Sequence, residues 1–104
     1  MSSASLQRRI AELVEAALWY RARRPGLEFE FLDEVDRVLP LIETAPASFP
    51  QLLDVPADLV IRRALLPRFP YALIFMDLGD HVRVLAVAHA KRRPGYWLDR
   101  VAVK

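Results

Sequence analysis

Residues 71–89 read YALIFMDLGDHVRVLAVAH. Two apolar runs, Tyr71–Leu78 and Val82–His89, flank the pair Gly79-Asp80. Gly-Asp suits a short turn, so the runs are predicted to pair as an antiparallel hairpin. Pro70 stands at the start of the first run, where a missing N–H is tolerated. The second run is apolar on both sides. Strict alternation puts Val82, Val84 and Ala86 on one face and Leu85 and Val87 on the other. A strand with two apolar faces in a small domain needs two covers. A pair of helices supplies one, and a tail of the chain or a partner supplies the second.

Upstream, Val60–Leu66 is a third strand in the same sheet. It sends Arg62 and Arg63 to opposite faces, one of them towards a helix carboxylate such as Glu30 or Asp33. Further upstream the period changes. Leu6, Ile10, Leu13, Val14, Ala17 and Leu18 recur at spacings of three and four, which predicts a helix over 6–23 with Ser5 as N-cap. Pro25-Gly26 stops it. A second helix is predicted over 27–43, burying Phe31, Leu32, Val35, Val38, Leu39 and Ile42 and exposing Asp33, Glu34, Asp36 and Arg37. The short joint makes an antiparallel helical hairpin. Pro40 predicts a kink or an early end. Residues 44–58 are punctuated by Pro46, Pro50 and Pro56 and read as a connection tethered by Phe49, Leu52 and Leu53. The tail from Gly95 to Lys104 carries Trp97, Leu98, Val101 and Val103, enough to cover the second sheet face. The fold class is α+β, a helical hairpin on a twisted antiparallel sheet in a single domain spanning 1–104.

Composition agrees. The chain has 104 residues, 54% of them apolar and 27% charged, which suits one core and excludes a disordered chain. No apolar run is long enough to span a membrane. The opening MSSASLQRR lacks the apolar stretch of a secretory signal. Cysteine is absent, so disulfides and thiolate chemistry are excluded, and a reducing compartment fits. The three glycines are too scattered for a phosphate-binding loop.

Charge is uneven. Residues 1–52 carry 6 basic and 8 acidic side chains, residues 53–104 carry 9 and 5, and 13 of the 15 basic residues are arginine. Arginine favours bidentate contacts to phosphate or carboxylate. His81 and His89 bracket one strand at roughly 26 Å, too far apart to share an ion, so neither metal nor cofactor is expected. No serine sits in a nucleophile elbow. The remaining constellation is basic and lies on the sheet half, from Arg62, Arg63 and Arg68 through Arg83 and His89 to Lys91, Arg92, Arg93, Tyr96 and Arg100. Such residues suffice in principle for metal-free RNA cleavage, although basic sheet surfaces more often bind than react.

Three pieces carry a family resemblance: WY followed by RPGL within Trp19–Leu27, RFPY at Arg68–Tyr71, and LAVAHAKRRPGYW at Leu85–Trp97. In this order they resemble the RelE/ParE toxins of bacterial type II toxin–antitoxin modules, the plasmid stabilisation proteins, over about residues 11–97. The resemblance implies a cytoplasmic, growth-inhibiting bacterial protein, neutralised by a cognate antitoxin within a hetero-oligomer. It implies a hairpin-on-sheet fold, usually opened by a strand, for which Met1–Leu6 is a poor candidate. It implies one of two targets. ParE-like members inhibit DNA gyrase by binding it, and the lack of a clear acid–base pair favours that reading. RelE-like members cleave messenger RNA on the ribosome; for these the matching catalytic set is Arg63, Arg68, His89, Arg93 and Tyr96. A non-toxic relic that only binds its antitoxin is the third reading. Trp19, Tyr20, Leu85, Val87 and Trp97 are the expected partner-binding residues.

Overall fold

The two apolar runs pair as predicted, and a single bulge decides what they bury. The computed structural model describes residues 3–101, with side chains from residue 7 onward. Its elements are helix α1 (Ser3–Arg23), helix α2 (Leu27–Thr44) and strands β1 (Ile61–Leu65), β2 (Tyr71–Asp77) and β3 (Val82–His89), with short 3₁₀ turns at Pro46–Ser48 and Leu98–Arg100. The sheet is antiparallel in the order β1-β2-β3. Gly79, at φ 92°, turns the chain between β2 and β3, and the Leu78 N–H donates to the His81 carbonyl at 2.9 Å.

In the β2–β3 ladder Ile74 faces Ala86, yet Phe75 faces Val84. Leu85 is the extra residue of a β-bulge, and a bulge reverses the phase of every side chain beyond it. Val82, Val84 and Val87 therefore meet the helices, while Leu85, Ala86 and Ala88 meet the opposite layer. The strict alternation expected from sequence fails at this residue. Both faces remain apolar, so both need covers.

The two helices form the first cover. In α2 the predicted stripe holds: Phe31, Val35, Val38 and Ile42 are buried, and Leu32 and Leu39 pack beside them. They meet Leu73 and Phe75 of β2 and Val87 of β3. Glu28 and Glu30 in the first turn of α2 suit the positive end of its dipole. The joint runs through Gly26 at φ 99°, a conformation that favours glycine. Pro40 does not end the helix, which runs to Thr44, and the Thr44 hydroxyl donates to the Pro40 carbonyl at 2.9 Å. Glu34, expected in solvent, is buried. Its carboxylate accepts from Arg37 at 2.9 Å and from the Arg68 N–H at 2.8 Å. Burial pushes the Glu34 carboxyl up, but these two donors outweigh it and the net direction is down.

Helix α1 departs furthest from expectation. It begins at Ser3, so Ser5 lies within it and is not its cap, and no strand precedes it among the described residues. Ala16 and Tyr20 are buried with Leu13 and Ala17 beside them, but Ile10, Val14 and Leu18 face solvent. Apolar side chains surround more than one stripe of this helix, and the sheet selected the stripe that also carries Arg9 and Glu12.

The second face has two partial covers. The connection lays Leu52, Val55 and Leu59 over one part; the tail lays Trp97, Leu98 and Val101 over another. Leu53, expected to tether the connection, is 90% exposed. The tail forms a 3₁₀ turn, and Val103 lies outside the described residues.

Phe75 is fully buried between β2 and the helices. Phe75→Ala should cost about 3–5 kcal/mol of unfolding free energy, read by urea titration as a lower midpoint at unchanged slope.

Candidate functional site

Between the two partial covers the second sheet face stays open as a cleft of about 760 Å³. Its floor is Ala72 and Ile74 of β2 and Ala88 of β3. Small side chains on β2 and β3 leave room that leucines would fill. Leu52 and Val55 form one wall, and Tyr96 and Trp97 the other. The bulge helps to build the site, because it turns Ala86 and Ala88 to this face and Val87 away from it.

Four of the five residues expected for catalysis line this cleft: Arg63, His89, Arg93 and Tyr96. Arg63 faces Ile74 in the ladder and so shares its side of the sheet. Arg68 does not join them. Its guanidinium is held by Glu30 at 2.5 Å, on the helical side of the molecule. The Arg68 hydrogen bond, the leading cause, holds the Glu30 carboxyl below the usual range. Arg62, on the opposite face from Arg63, pairs with Asp77 at 3.3 Å and donates to the Phe49 carbonyl, so neither Glu30 nor Asp33 is its partner.

The cleft is electrically lopsided. Among the described residues Arg63, Arg92 and Arg93 line it against one carboxylate, Asp54. Neither Arg63 nor Arg93 forms an ion pair with a described residue. Arg92 stacks over the Tyr96 ring at 3.9 Å. An apolar floor with unneutralised guanidinium groups at its rim suits an amphipathic, acidic ligand.

Proton transfer is less well served. The Tyr96 hydroxyl donates to Glu12 Oε2 at 2.5 Å, and burial, with the Glu12 carboxylate next, pushes this phenol far above its ordinary range. It neither donates nor accepts freely near neutral pH. His89 Nδ1 accepts the Lys91 N–H at 3.0 Å, so in the neutral ring the proton sits on Nε2. The second ring nitrogen is then a donor and not a lone pair. Its ring stands edge-on to Tyr71 at 4.9 Å.

Sequence reasoning missed Glu12, whose i, i+4 neighbours gave no hint that it faces inward. Its carboxylate accepts from the Val87 N–H at 3.0 Å, from Tyr96, and from both Arg100 terminal nitrogens at 2.9 and 3.2 Å. Arg100 is buried and also donates to the Leu85 carbonyl at 3.0 Å. Arg9 donates to the Val84 carbonyl at 2.5 Å. The outer edge of β3, which carries no further strand among the described residues, is thus capped by side chains.

Of the expected partner-binding residues only Trp19 is on the surface, at 52% exposure. Tyr20, Leu85, Val87 and Trp97 are core residues in this fold. Ile10, Val14 and Leu18 form the exposed apolar row that Trp19 extends.

Comparison of the chain with family models, curated proteins and solved structures gives no match. No helix is long and apolar enough to cross a membrane among the described residues.

Glu12→Ala leaves Arg100 buried without its carboxylate and should cost about 3–5 kcal/mol, whereas Val14→Ser should cost less than about 0.5, both read by urea unfolding. The raised Tyr96 phenol gives a pH signature. Its contribution is complete below the unfolded-state value near pH 10 and is lost as pH rises towards the folded one. Between pH 9 and 11 the wild-type chain should therefore lose more stability than Tyr96→Phe.

Proposed function

We propose that this chain is the toxin of a type II toxin–antitoxin module of the RelE/ParE kind, acting by binding its target rather than by cleaving it. The observation that carries the binding mode is the cleft itself. It gathers Arg63, Arg92 and Arg93 over an apolar floor, while its tyrosine is tied to Glu12 and its histidine presents only an N–H. Such a surface recognises; neither its tyrosine nor its histidine is a poised proton acceptor. DNA gyrase is the proposed target, because the WY…RPGL, RFPY and HAKRRPGYW segments resemble the RelE/ParE family as a whole and, within it, inhibition by binding is the ParE-like mode.

A neutralising antitoxin fits two features. The cleft is an apolar trough flanked by the exposed Leu53 and Leu65, and the row Ile10, Val14 and Leu18 is open on α1. An antitoxin that crosses both would cover apolar surface that the chain leaves in water. RNA cleavage is the second reading, favoured by the convergence of Arg63, His89 and Arg93 on one cleft.

The test is induction of the chain alone in bacteria, with DNA supercoiling and protein synthesis followed separately. Growth should slow, supercoiling should be disturbed first, and Arg63→Ala with Arg93→Ala should relieve inhibition by about tenfold or more. Early arrest of translation, abolished by His89→Ala, would replace binding with RNA cleavage. Unimpaired growth at full expression would reject toxicity and leave the antitoxin-binding relic.

A further inference from the structure

A second pocket, of about 420 Å³, lies where α1 meets the end of the sheet. Its aromatic wall residues are Trp19, Tyr20, Tyr71 and His89, with Glu15, Ala16 and Pro70 completing it. Helical spacing explains the α1 contribution. Glu15, Ala16, Trp19 and Tyr20 stand at i, i+1, i+4 and i+5 and so share a face. Ala16 is buried and small, which leaves room beside it.

The rings are set at angles and do not stack. Trp19 and Tyr20 are 5.1 Å apart at 90°, Tyr20 and Tyr71 6.2 Å apart at 64°, and Tyr71 and His89 4.9 Å apart at 87°. Tyr20 is fixed from behind by Phe69 at 4.9 Å and Phe31 at 5.2 Å. The Tyr20 wall is therefore built into the core, while Trp19 stands at the surface as the outer wall.

Among the described residues Glu15 makes no hydrogen bond and no ion pair, unlike Glu12, Glu28, Glu30 and Glu34. It is the single carboxylate lining the pocket among the described residues. Its field is felt there: burial, and next the Glu15 charge, push the Tyr71 phenol up. Aromatic side chains beside an unpaired carboxylate favour a cation over an anion. The chain supplies its own precedent, because the Arg23 guanidinium lies over the Trp19 ring at 4.2 Å and is not among the residues that line the pocket.

We propose that this aromatic pocket receives the cationic end of an arginine or lysine side chain from a partner polypeptide. Tyr71 and His89 line both this pocket and the cleft, so one segment can seat acidic groups among the cleft arginines and a cationic side chain here. Opposite charge preferences a few residues apart fix the register and direction of such a segment. The pocket's chemistry is independent of whether the chain inhibits growth.

The test is nuclear magnetic resonance on the full chain, titrated with N-acetyl-arginine methylamide, N-acetyl-lysine methylamide and the neutral isostere N-acetyl-citrulline methylamide. The chain has two tryptophans; Trp19 is half exposed and Trp97 is buried, so the Trp19 indole N–H reports on the pocket and that of Trp97 on the fold. Either cationic compound should shift the Trp19 signal saturably. The citrulline compound should bind about fivefold more weakly or worse, and Glu15→Gln should reduce affinity for the cations by a similar factor. Glu43→Gln, which removes an exposed carboxylate on α2 outside both pockets, should leave both unchanged, and the Trp97 signal should stay in place throughout. Equal binding of the neutral isostere, undiminished binding by Glu15→Gln, or no saturable shift would overturn the proposal.

Discussion

One carboxylate ties three layers of this molecule together. Glu12 leaves α1, reaches past the rim of the sheet to the Val87 N–H of β3, and there meets Tyr96 and Arg100 of the tail. The geometry is over-determined, because Arg100 is itself held by the Leu85 carbonyl and Arg83 reaches the carbonyls of Arg100 and Val101. A carboxylate and a guanidinium taken out of water cost several kcal/mol each, and only this density of donors offsets that. The tail consequently lies across the second sheet face with Trp97 as its plug, and its near side becomes a wall of the cleft.

The same interaction explains why α1 turns an unexpected side to the sheet. Apolar periodicity placed Ile10, Val14 and Leu18 inside. Burying that stripe would have pointed Glu12 and Arg9 into solvent and left the Val84 carbonyl and the Val87 N–H at a sheet edge without these partners. The folded chain instead spends the helix on satisfying that edge and leaves an apolar row outside, where a second polypeptide can use it. Periodicity sees transfer energy; it does not see hydrogen-bond demand at a strand 75 positions away in sequence.

Much of the fold was legible because its signals are local. Pro25-Gly26 and Gly79-Asp80 punctuate the chain where turns occur, α2 carries a clean stripe, and the apolar runs become β2 and β3 within a residue. The bulge at Leu85 was not legible, since valine, leucine and alanine fill either phase of β3 equally well, and only the register with Phe75 and Val84 breaks the tie. The candidate site was legible by residue type but not by grouping. Arg63, His89, Arg93 and Tyr96 converge because β1, β3 and the tail meet on one face; Arg68, two positions from the cleft-lining Leu66, is drawn away by Glu30 and Glu34. The state of Tyr96 was invisible from sequence, because its partner lies 84 positions away.

The cleft depends on the tail being clamped to the edge of β3. Amide hydrogen exchange on the wild-type chain reads that clamp directly. Val87 sits on an outer strand, yet its N–H should exchange slowly, in step with the amides of Leu98, Arg100 and Val101 in the tail turn. Exchange of Val87 and the tail at the rate of an unstructured peptide, with the β2 amides still protected, would contradict the account, since the cleft would then lack its second wall.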